Sequence, residues 1–419
     1  MKTKTAIDIF SGAGGMSIGS IMAGIEPILA IEFDIHAAKT YEANHPKTKV
    51  LQQDIKTVNP LEHTEKEPFI LFGGPPCQGF SVANTKTRNL DNSNNWMFRE
   101  YLRFVKDLEP EWFLFENVVG FKSFDKGKFA VEVEEELKEL GYKTNSTVLN
   151  AADFGVPQDR KRFFIVGHRK EKGGIKFDFE TMPKVKKKVT VNEALNDLPS
   201  LINGDKIGKT SYKIKNPTNQ YAKLMRQNSK YAIQNFVTAN RPHIIERYKV
   251  IKQGENWQAA KNNGLLKTYS STKHTHSGIY KRLEDDKPSV TIANYRKSML
   301  IHPHENRGLS LREAARLQSF PDDFIFQVRK TLKGMKRNSL LLGEVWEDAT
   351  NKISYGERRQ YMLGESLDSV TAYPYRRTLF NFINREISAQ TFYNICTMFK
   401  ENYPKEYYKS SLKMIGSHD

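Results

Sequence analysis

Cysteine is nearly absent from this 419-residue chain: Cys77 and Cys396 are its only thiols. Two thiols cannot supply a disulfide framework or a cysteine-rich metal site. The ten histidines are scattered. The closest pair, His302 and His304 around Pro303, has no further ligands beside it, so no metal is expected. The chain also lacks any run of about 18 apolar residues able to cross a bilayer, and Asp8 interrupts the apolar start too early for a signal peptide. A cytoplasmic protein is the expectation. Acidic charge is in deficit, with 65 Lys and Arg against 48 Asp and Glu and a formal charge of +17. That surplus favours a polyanionic partner such as nucleic acid, with an anionic membrane surface as the rival. At about 100–200 residues per domain, the length suggests two domains.

One of the two thiols has an unusual setting. An apolar strand-like run, Phe69 to Phe72, ends in Gly73-Gly74-Pro75-Pro76 directly before Cys77, so the backbone must leave the sheet sharply there. A stiff turn at the carboxyl edge of a sheet would hold the sulfur in a fixed direction, where open α/β folds keep their ligands. Attack by the thiolate is the chemistry this suits. A small buried hydrophobe is the bland alternative, which the cysteine taken alone does not exclude.

The remaining elements converge on the same edge. Residues 5–9, TAIDI, form a strand followed by Phe10-Ser-Gly-Ala-Gly-Gly15 and an apolar helical spacing through Ile18, Ile21, Met22 and Ile25. Strand, glycine turn and helix make a nucleotide-type pocket, although the glycines do not follow G-x-G-x-x-G, which weakens a nicotinamide reading. A second strand, Pro27 to Ile31, ends at Glu32-Phe33-Asp34. An acidic residue about 20 positions after the loop can accept ribose hydroxyls, Phe33 can pack on a purine, and Asp34 can cap the next helix. Asp54 follows a short third strand. After the cysteine, residues 84–95 are polar and rich in Asn, as a lid or an ordinary connection would be. The buried run Trp112 to Phe115 then delivers Glu116-Asn117-Val118, and a carboxylate so placed invites a raised pKa suited to a general acid. Phe129, Val133, Leu137 and Leu140 are core positions of a helix stopped by Gly141. Arg160 and Arg162 open a later strand and are expected to face opposite ways, one to the pocket and one to a phosphate.

Collected, these segments resemble the cytosine-C5 DNA methyltransferase family of the bacterial restriction-modification type. DIFSGAGGMSIG looks like the methyl-donor loop, GGPPCQGFS the nucleophile loop, ENV the base-contacting motif and QDRKR the Q-x-R-x-R motif; KPSVTI and RGLSLREAARLQSFPD are similar to segments that follow the target-recognition region. The match covers roughly residues 5–168 and 280–326. One departure is Gly364-Glu-Ser-Leu-Asp-Ser369, where the family has Asn and prolines, preceded by an insertion-like stretch, Gln327 to Arg359.

The resemblance implies a mostly parallel α/β sheet of the Rossmann-like methyltransferase kind with a smaller recognition domain. The expected division is a catalytic domain at 1–169, target recognition at 170–300, hinge and insertion at 301–359, a return to the catalytic domain at 360–387, and a tail at 388–419. It implies S-adenosylmethionine held by Phe10, Gly12, Ala13, Gly14, Gly15, Glu32, Phe33, Asp54, Ile55 and Pro75. Cys77, Glu116, Arg160 and Arg162 would act on a flipped-out cytosine, with Gln78, Ser81, Lys86, Arg88 and Gln158 on the DNA. Duplex DNA is the expected partner, a restriction endonuclease a functional companion, and a monomer the expected state. KVKKK at 184–188 reads first as a solvated charge run and only then as a phosphate contact. A tRNA cytosine-C5 methyltransferase is the alternative nearest in chemistry, and a catalytically idle DNA-binding relative is the alternative from another class.

Overall fold

The computed structural model describes residues 3–76, 97–123, 127–266, 277–292, 295, 300–327 and 373–402, together with two-residue strands at 342–343, 353–354, 357–358 and 369–370. Contacts divide the chain into two units, residues 1–328 and 329–419.

Alternation of strand and helix dominates the start of the first unit: β1 (Thr5–Ile9), α1 (Gly15–Met22), β2 (Glu26–Glu32), α2 (Ile35–Asn44), β3 (Lys49–Gln52), β4 (Ile70–Gly73), α3 (Met97–Leu108), β5 (Trp112–Val118), α4 (Val119–Ser123), α5 (Lys128–Glu139) and β6 (Tyr142–Asn150). After them come β7 (Gln158–Asp159) and β8 (Lys161–Arg169). The sheet has seven strands in the order β3-β2-β1-β4-β5-β8-β6, parallel except for β8, which runs antiparallel to both neighbours. This is the expected mostly parallel α/β sheet, and the order reverses between β1 and β4, where such sheets bind ligands.

Every second residue of β5 is buried: Phe113, Phe115 and Asn117. The apolar pair packs with Tyr101 of α3, Phe121 of α4 and Tyr142 of β6 through tilted and edge-on ring contacts. Phe129, Val133 and Leu137 of α5 join the same core, and Gly141 takes the left-handed φ of +92° that closes this helix. The alternate residues Trp112, Leu114 and Glu116 face a cavity instead. Helix α1 departs from its apolar spacing. It buries Ser17 and Ser20, while Ile21 and Met22 are exposed, because Asp8 of β1 waits beneath to receive the Ser17 hydroxyl at 2.6 Å.

Beyond β8 come α6 (Val191–Leu195), β9 (Lys206–Thr210), α7 (Gln220–Met225), β10 (Ala232–Phe236), α8 (Pro242–Lys249), α9 (Trp257–Asn262), β11 (Ser289–Val290) and α10 (Leu311–Arg316). These build a second core from Val191, Leu195, Tyr212, Tyr221, Leu283, Leu309 and Leu317, among others. A third cluster gathers Tyr248, Ile251, Trp257, Tyr280 and Ile301. The segment expected as a hinge therefore supplies Leu309 and Leu317 to the second core. Helix α10 is pinned by buried guanidinium groups. Arg307 donates to both oxygens of Glu313 at 2.8 and 2.7 Å, and Arg312 donates to the carbonyls of Ile233, Pro321 and Phe324. Burial pushes the Glu313 carboxyl up, but Arg307 outweighs that and holds it at about 2.

The second unit contains two helices, Tyr373–Ile383 and Ala389–Asn402, with Phe382 stacked on Phe392. Two pairs of two-residue strands precede them. The stretch from Gly364 to Asp368 lies outside the described residues. Among the described residues no helix is long and apolar enough to cross a membrane, and no cluster of three or more His, Cys, Asp or Glu could hold a metal.

Candidate active site

Two regions meet at the carboxyl edge of the sheet. In the first, β1 passes into the glycine turn through Phe10, whose φ of +56° is rare for an aromatic residue, and then through Gly12 and Gly14 at +55° and +89°. A side chain on Gly14 would collide with the His45 ring, 2.5 Å from the built Cβ, so that position is closed to anything but glycine. Glu32 braces the turn: one carboxylate oxygen accepts from the Gly12 N–H and the other from the Asp34 N–H, each at 2.7 Å. A free acceptor site remains on each oxygen for further donors. Asp34 caps α2 by accepting from the His36 and Ala37 N–H groups. Phe33, beside Glu32, is 71% exposed. Asp54 caps the short turn Ile55–Thr57, within which Ile55 is buried. The Ser11 hydroxyl is buried and has no partner.

Beneath this turn lies a polar cluster that the sequence analysis passed over. Asp8 accepts from Ser17, whose hydroxyl also meets the Tyr41 hydroxyl at 2.5 Å. Burial drives the Asp8 carboxyl up to about 8, with the Glu32 charge adding to the rise and the Ser17 hydrogen bond opposing it. His45 packs at a tilt against Tyr41, with ring centroids 4.4 Å apart, and burial lowers its imidazole while the Gly14 backbone opposes this. Its only signal in the sequence was an acid inside an apolar strand.

In the second region, β5 continues as strand through Glu116, rather than ending before it. The Arg162 Nε lies 3.0 Å from Glu116 Oε1, each side chain 18% exposed. Burial raises the Glu116 carboxyl, and the charges of Arg162 and Arg160 only partly oppose this. Arg160 and Arg162 do not face opposite ways. Both line one cavity with Glu116 and Gln158, because strand side chains repeat every two residues and positions 160, 162, 164 and 166 share a face. Register accounts for the meeting: Val118 pairs with Arg162 and Glu116 with Phe164. The Gln158 side chain is 1% exposed, and neither its amide oxygen nor its nitrogen has a partner. Leaving such groups unmet costs about 1–3 kcal/mol each.

Glycine also brings the two loops together. A Cβ on Gly74 would stand 2.6 Å from Glu116 Oε2, and Asn117 donates its amide N–H to the buried Pro75 carbonyl at 3.2 Å. The chain thus turns across Glu116 immediately before Cys77. Cys77 itself, with Gln78, Ser81, Lys86 and Arg88, lies outside the described residues. The cavity measures about 780 Å³ and extends from Gly15 and Met16 past Glu116 to Trp112 and Phe164. Gln318 and Phe320 also line it, and sequence reasoning missed both. Of the KVKKK lysines, Lys184, Lys187 and Lys188 pair with Glu180, Glu193 and Asp153, in keeping with a solvated charge run.

A solved structure of a prophage-encoded E. coli protein, described as a DNA modification methyltransferase, superposes with a TM-score of 0.62 at 26% identity, covering 77% of this chain and 90% of that one. Type II methyltransferase M.DdeI of Desulfomicrobium norvegicum is 33% identical over 79% of this chain and 82% of its own length. For M1.HphI of Haemophilus parahaemolyticus the identity is 36%, over 84% and 88%. Residues 4–339 match the C-5 cytosine-specific DNA methylase family, so a glycine turn and a half-buried Glu–Arg edge on this sheet belong to a member of that family, a DNA cytosine-C5 methyltransferase.

Proposed function

We propose that the protein methylates C5 of a flipped-out cytosine in a specific duplex DNA sequence, drawing on S-adenosylmethionine and passing through a covalent bond from Cys77 to C6. The observation that carries this reading is the half-buried Glu116, its carboxyl raised, next to Arg162 and the orphaned Gln158 amide in one cavity.

Cytosine C5 is too weak a nucleophile to take a methyl group unaided, and addition of a thiolate at C6 converts the ring to an enamine. Glu116 holds N3 and the exocyclic amine and gives its proton to N3 as negative charge develops, and burial, by raising its carboxyl, favours the protonated form that this step needs. Arg162 holds the base carbonyl O2 and Arg160 reaches a phosphate or the 84–95 loop. Gln158 offers a donor and an acceptor to the extruded nucleotide. After transfer, the C5 proton leaves to a base, the electrons of that bond re-form the ring double bond, the C6–sulfur bond breaks to return the thiolate, and N3 gives its proton back to Glu116. The cost of extruding the base, a few kcal/mol, falls to the DNA-binding surface.

The donor region fits S-adenosylmethionine on three counts: the buried, partnerless Ser11 hydroxyl, the exposed Phe33 ring for a purine face, and spare acceptor sites on Glu32 for ribose hydroxyls. When bound, that group supplies an electrophilic methyl on a sulfonium. Phe10, Gly12, Ala13, Gly14 and Gly15 approach it with backbone, while Asp54, Ile55 and Pro75 border it. The type II relatives support a protective role beside a restriction endonuclease, with residues 170–300 reading the sequence and the protein acting as a monomer in the cytoplasm.

The test is methyl incorporation from labelled S-adenosylmethionine into duplex DNA and tRNA, with bisulfite sequencing of a genome carrying the expressed protein. Sequence-specific 5-methylcytosine in DNA, and a trapped complex with 5-fluorocytosine duplex that Cys77→Ser abolishes, is the expected result. Label in tRNA alone, or methyl on an exocyclic nitrogen, would overturn it.

A further inference from the structure

The glycine turn is supported by a strap that starts in the second core. Arg316 and Leu317 end α10 inside that core. The chain then reverses at Ser319, a non-glycine residue with a φ of +60°, closed by Ser319 and Phe320 N–H groups donating to the carbonyls of Arg316 and Ala315. The Tyr221 hydroxyl grips this reversal through the Arg316 carbonyl and the Ser319 hydroxyl. Arg316 also holds Asp322 by two guanidinium hydrogen bonds, 2.8 and 2.5 Å. A turn fixed this firmly has little freedom in where it sends its aromatic ring.

The ring goes to the donor loop. A Cβ on Gly15 would meet Phe320 Cζ at 3.5 Å, an ordinary van der Waals separation. Phe320 packs on Phe324 and Phe326 at ring distances of 4.8 and 5.2 Å. Phe324 in turn stands edge-on to His45 at 6.5 Å, the ring that backs Gly14. Beyond it the strap is stitched to α2: the Asn44 amide both donates to and accepts from the Ile325 backbone at 2.8 Å, and the Gln327 N–H donates to Thr40. The Gly14–Gly15 corner thus has aromatic rings behind it that belong to residues 320–324 and whose anchor is Asp197 and Asp322.

We infer that Phe320 is a positioning residue for the methyl-donor loop, carrying the conformation of the second core to the Gly14–Gly15 turn. This rests on the donor reading above. The loop's strained Phe10 and its two left-handed glycines leave it free to relax when unsupported, so removal of the ring costs donor affinity first. Gly15 and the cavity wall are touched by Phe320 alone within the strap's aromatic trio.

The experiment is S-adenosylmethionine binding to the full chain by calorimetry, for wild type, Phe320→Ala and Phe320→Leu, alongside steady-state kinetics with separate titrations of donor and duplex. The expected result is a rise of about tenfold in donor Kd and donor KM for Phe320→Ala, within the usual range of site couplings. Phe320→Leu should restore most of it, and kcat and duplex KM should move far less. Donor affinity equal to wild type in both variants, or a parallel loss of donor affinity, duplex affinity and unfolding midpoint, would overturn the inference. If Phe320→Ala fails to fold, Phe320→Leu and Phe320→Tyr carry the same comparison. A wild-type chain that binds no S-adenosylmethionine would sink the donor reading itself, and is read from a different sample.

Discussion

Arg316 donates to Asp197 at 2.9 Å with both side chains wholly removed from solvent, joining positions 119 residues apart in the chain. Asp322 completes the arrangement at 2.5 Å, and Tyr212 donates its hydroxyl to the same carboxylate. Burial alone would depress the Arg316 guanidinium, yet Asp322 and Asp197 hold it above its ordinary range. Removing Asp197 leaves the buried Arg316 with one carboxylate in place of two and takes the partner of Arg226 as well, at a cost of about 3–5 kcal/mol. Asp197→Ala should therefore lower the urea unfolding free energy by that amount, and Asp197→Asn by less. A loss below about 1 kcal/mol, the range of surface pairs, would contradict this.

Glu116→Gln keeps the shape and removes the proton donor. Turnover should fall by about 10²–10⁴-fold, the range for a lost general acid, while duplex binding in a gel-shift assay stays close to wild type. Retained turnover would assign protonation of the ring to another group.

Because burial raises the Glu116 carboxyl, the protonated, active form persists to higher pH than for an ordinary glutamate. Activity should fall on the alkaline limb as this group ionises. Arg162→Ala removes part of the opposing charge, which Arg162→Lys retains, so the limb should move to higher pH in the alanine variant. A shift to lower pH in a pH–rate profile would refute the assignment.

Asp8 gives a stability prediction. In the folded chain burial pushes its carboxyl up to about 8, from 3.8 for an ordinary aspartate. The folded state therefore holds a proton that the unfolded chain has released, and stability declines as pH rises between those values. The slope contributed is about 1.4 kcal/mol per pH unit. Above that window the contribution is fully lost. Asp8→Asn, which preserves an acceptor for Ser17, should flatten this part of the curve measured by urea unfolding from pH 5 to 9.

Gly74→Ala should act at a distance of 2.6 Å. Its methyl group would occupy space held by the Glu116 carboxylate, and displacement of about 1 Å at such a site can cost about 10²-fold in rate. The check is kcat with unchanged duplex affinity.

Much of the sheet could be read from the chain because strands such as TAIDI and WFLF are apolar runs bounded by glycine or acid, and β–α alternation leaves few topologies. Glu116 was legible as a carboxylate after a buried run, although the strand carries on through it, since a strand face toward a cavity tolerates an acid that a core face does not. The two arginines, expected on opposite faces, share one because a spacing of two residues is the full period of a strand. Ser17 and Ser20 were invisible as the inward face of α1, because the apolar residues at helical spacing suggested the reverse, and only Asp8 below explains the inversion. Phe320 and Gln318 lie about 305 residues from the Gly15 turn with which they line the cavity, and His45 about 30 from Gly14, proximities that no local pattern encodes.

The antiparallel insertion of β8 between β5 and β6 makes the site sensitive to chain length in a way that composition is not. Its residues alternate between cavity and core, Arg162, Phe164 and Val166 against Phe163 and Ile165. Adding or deleting one residue between Asn150 and Lys161 would slide the ladder by one step and exchange the two sets. Lys161 and Phe163 would then look toward Glu116, while a guanidinium was driven among the phenylalanines beneath, so the tolerated lengths of that connection are confined to changes that keep the ladder in phase.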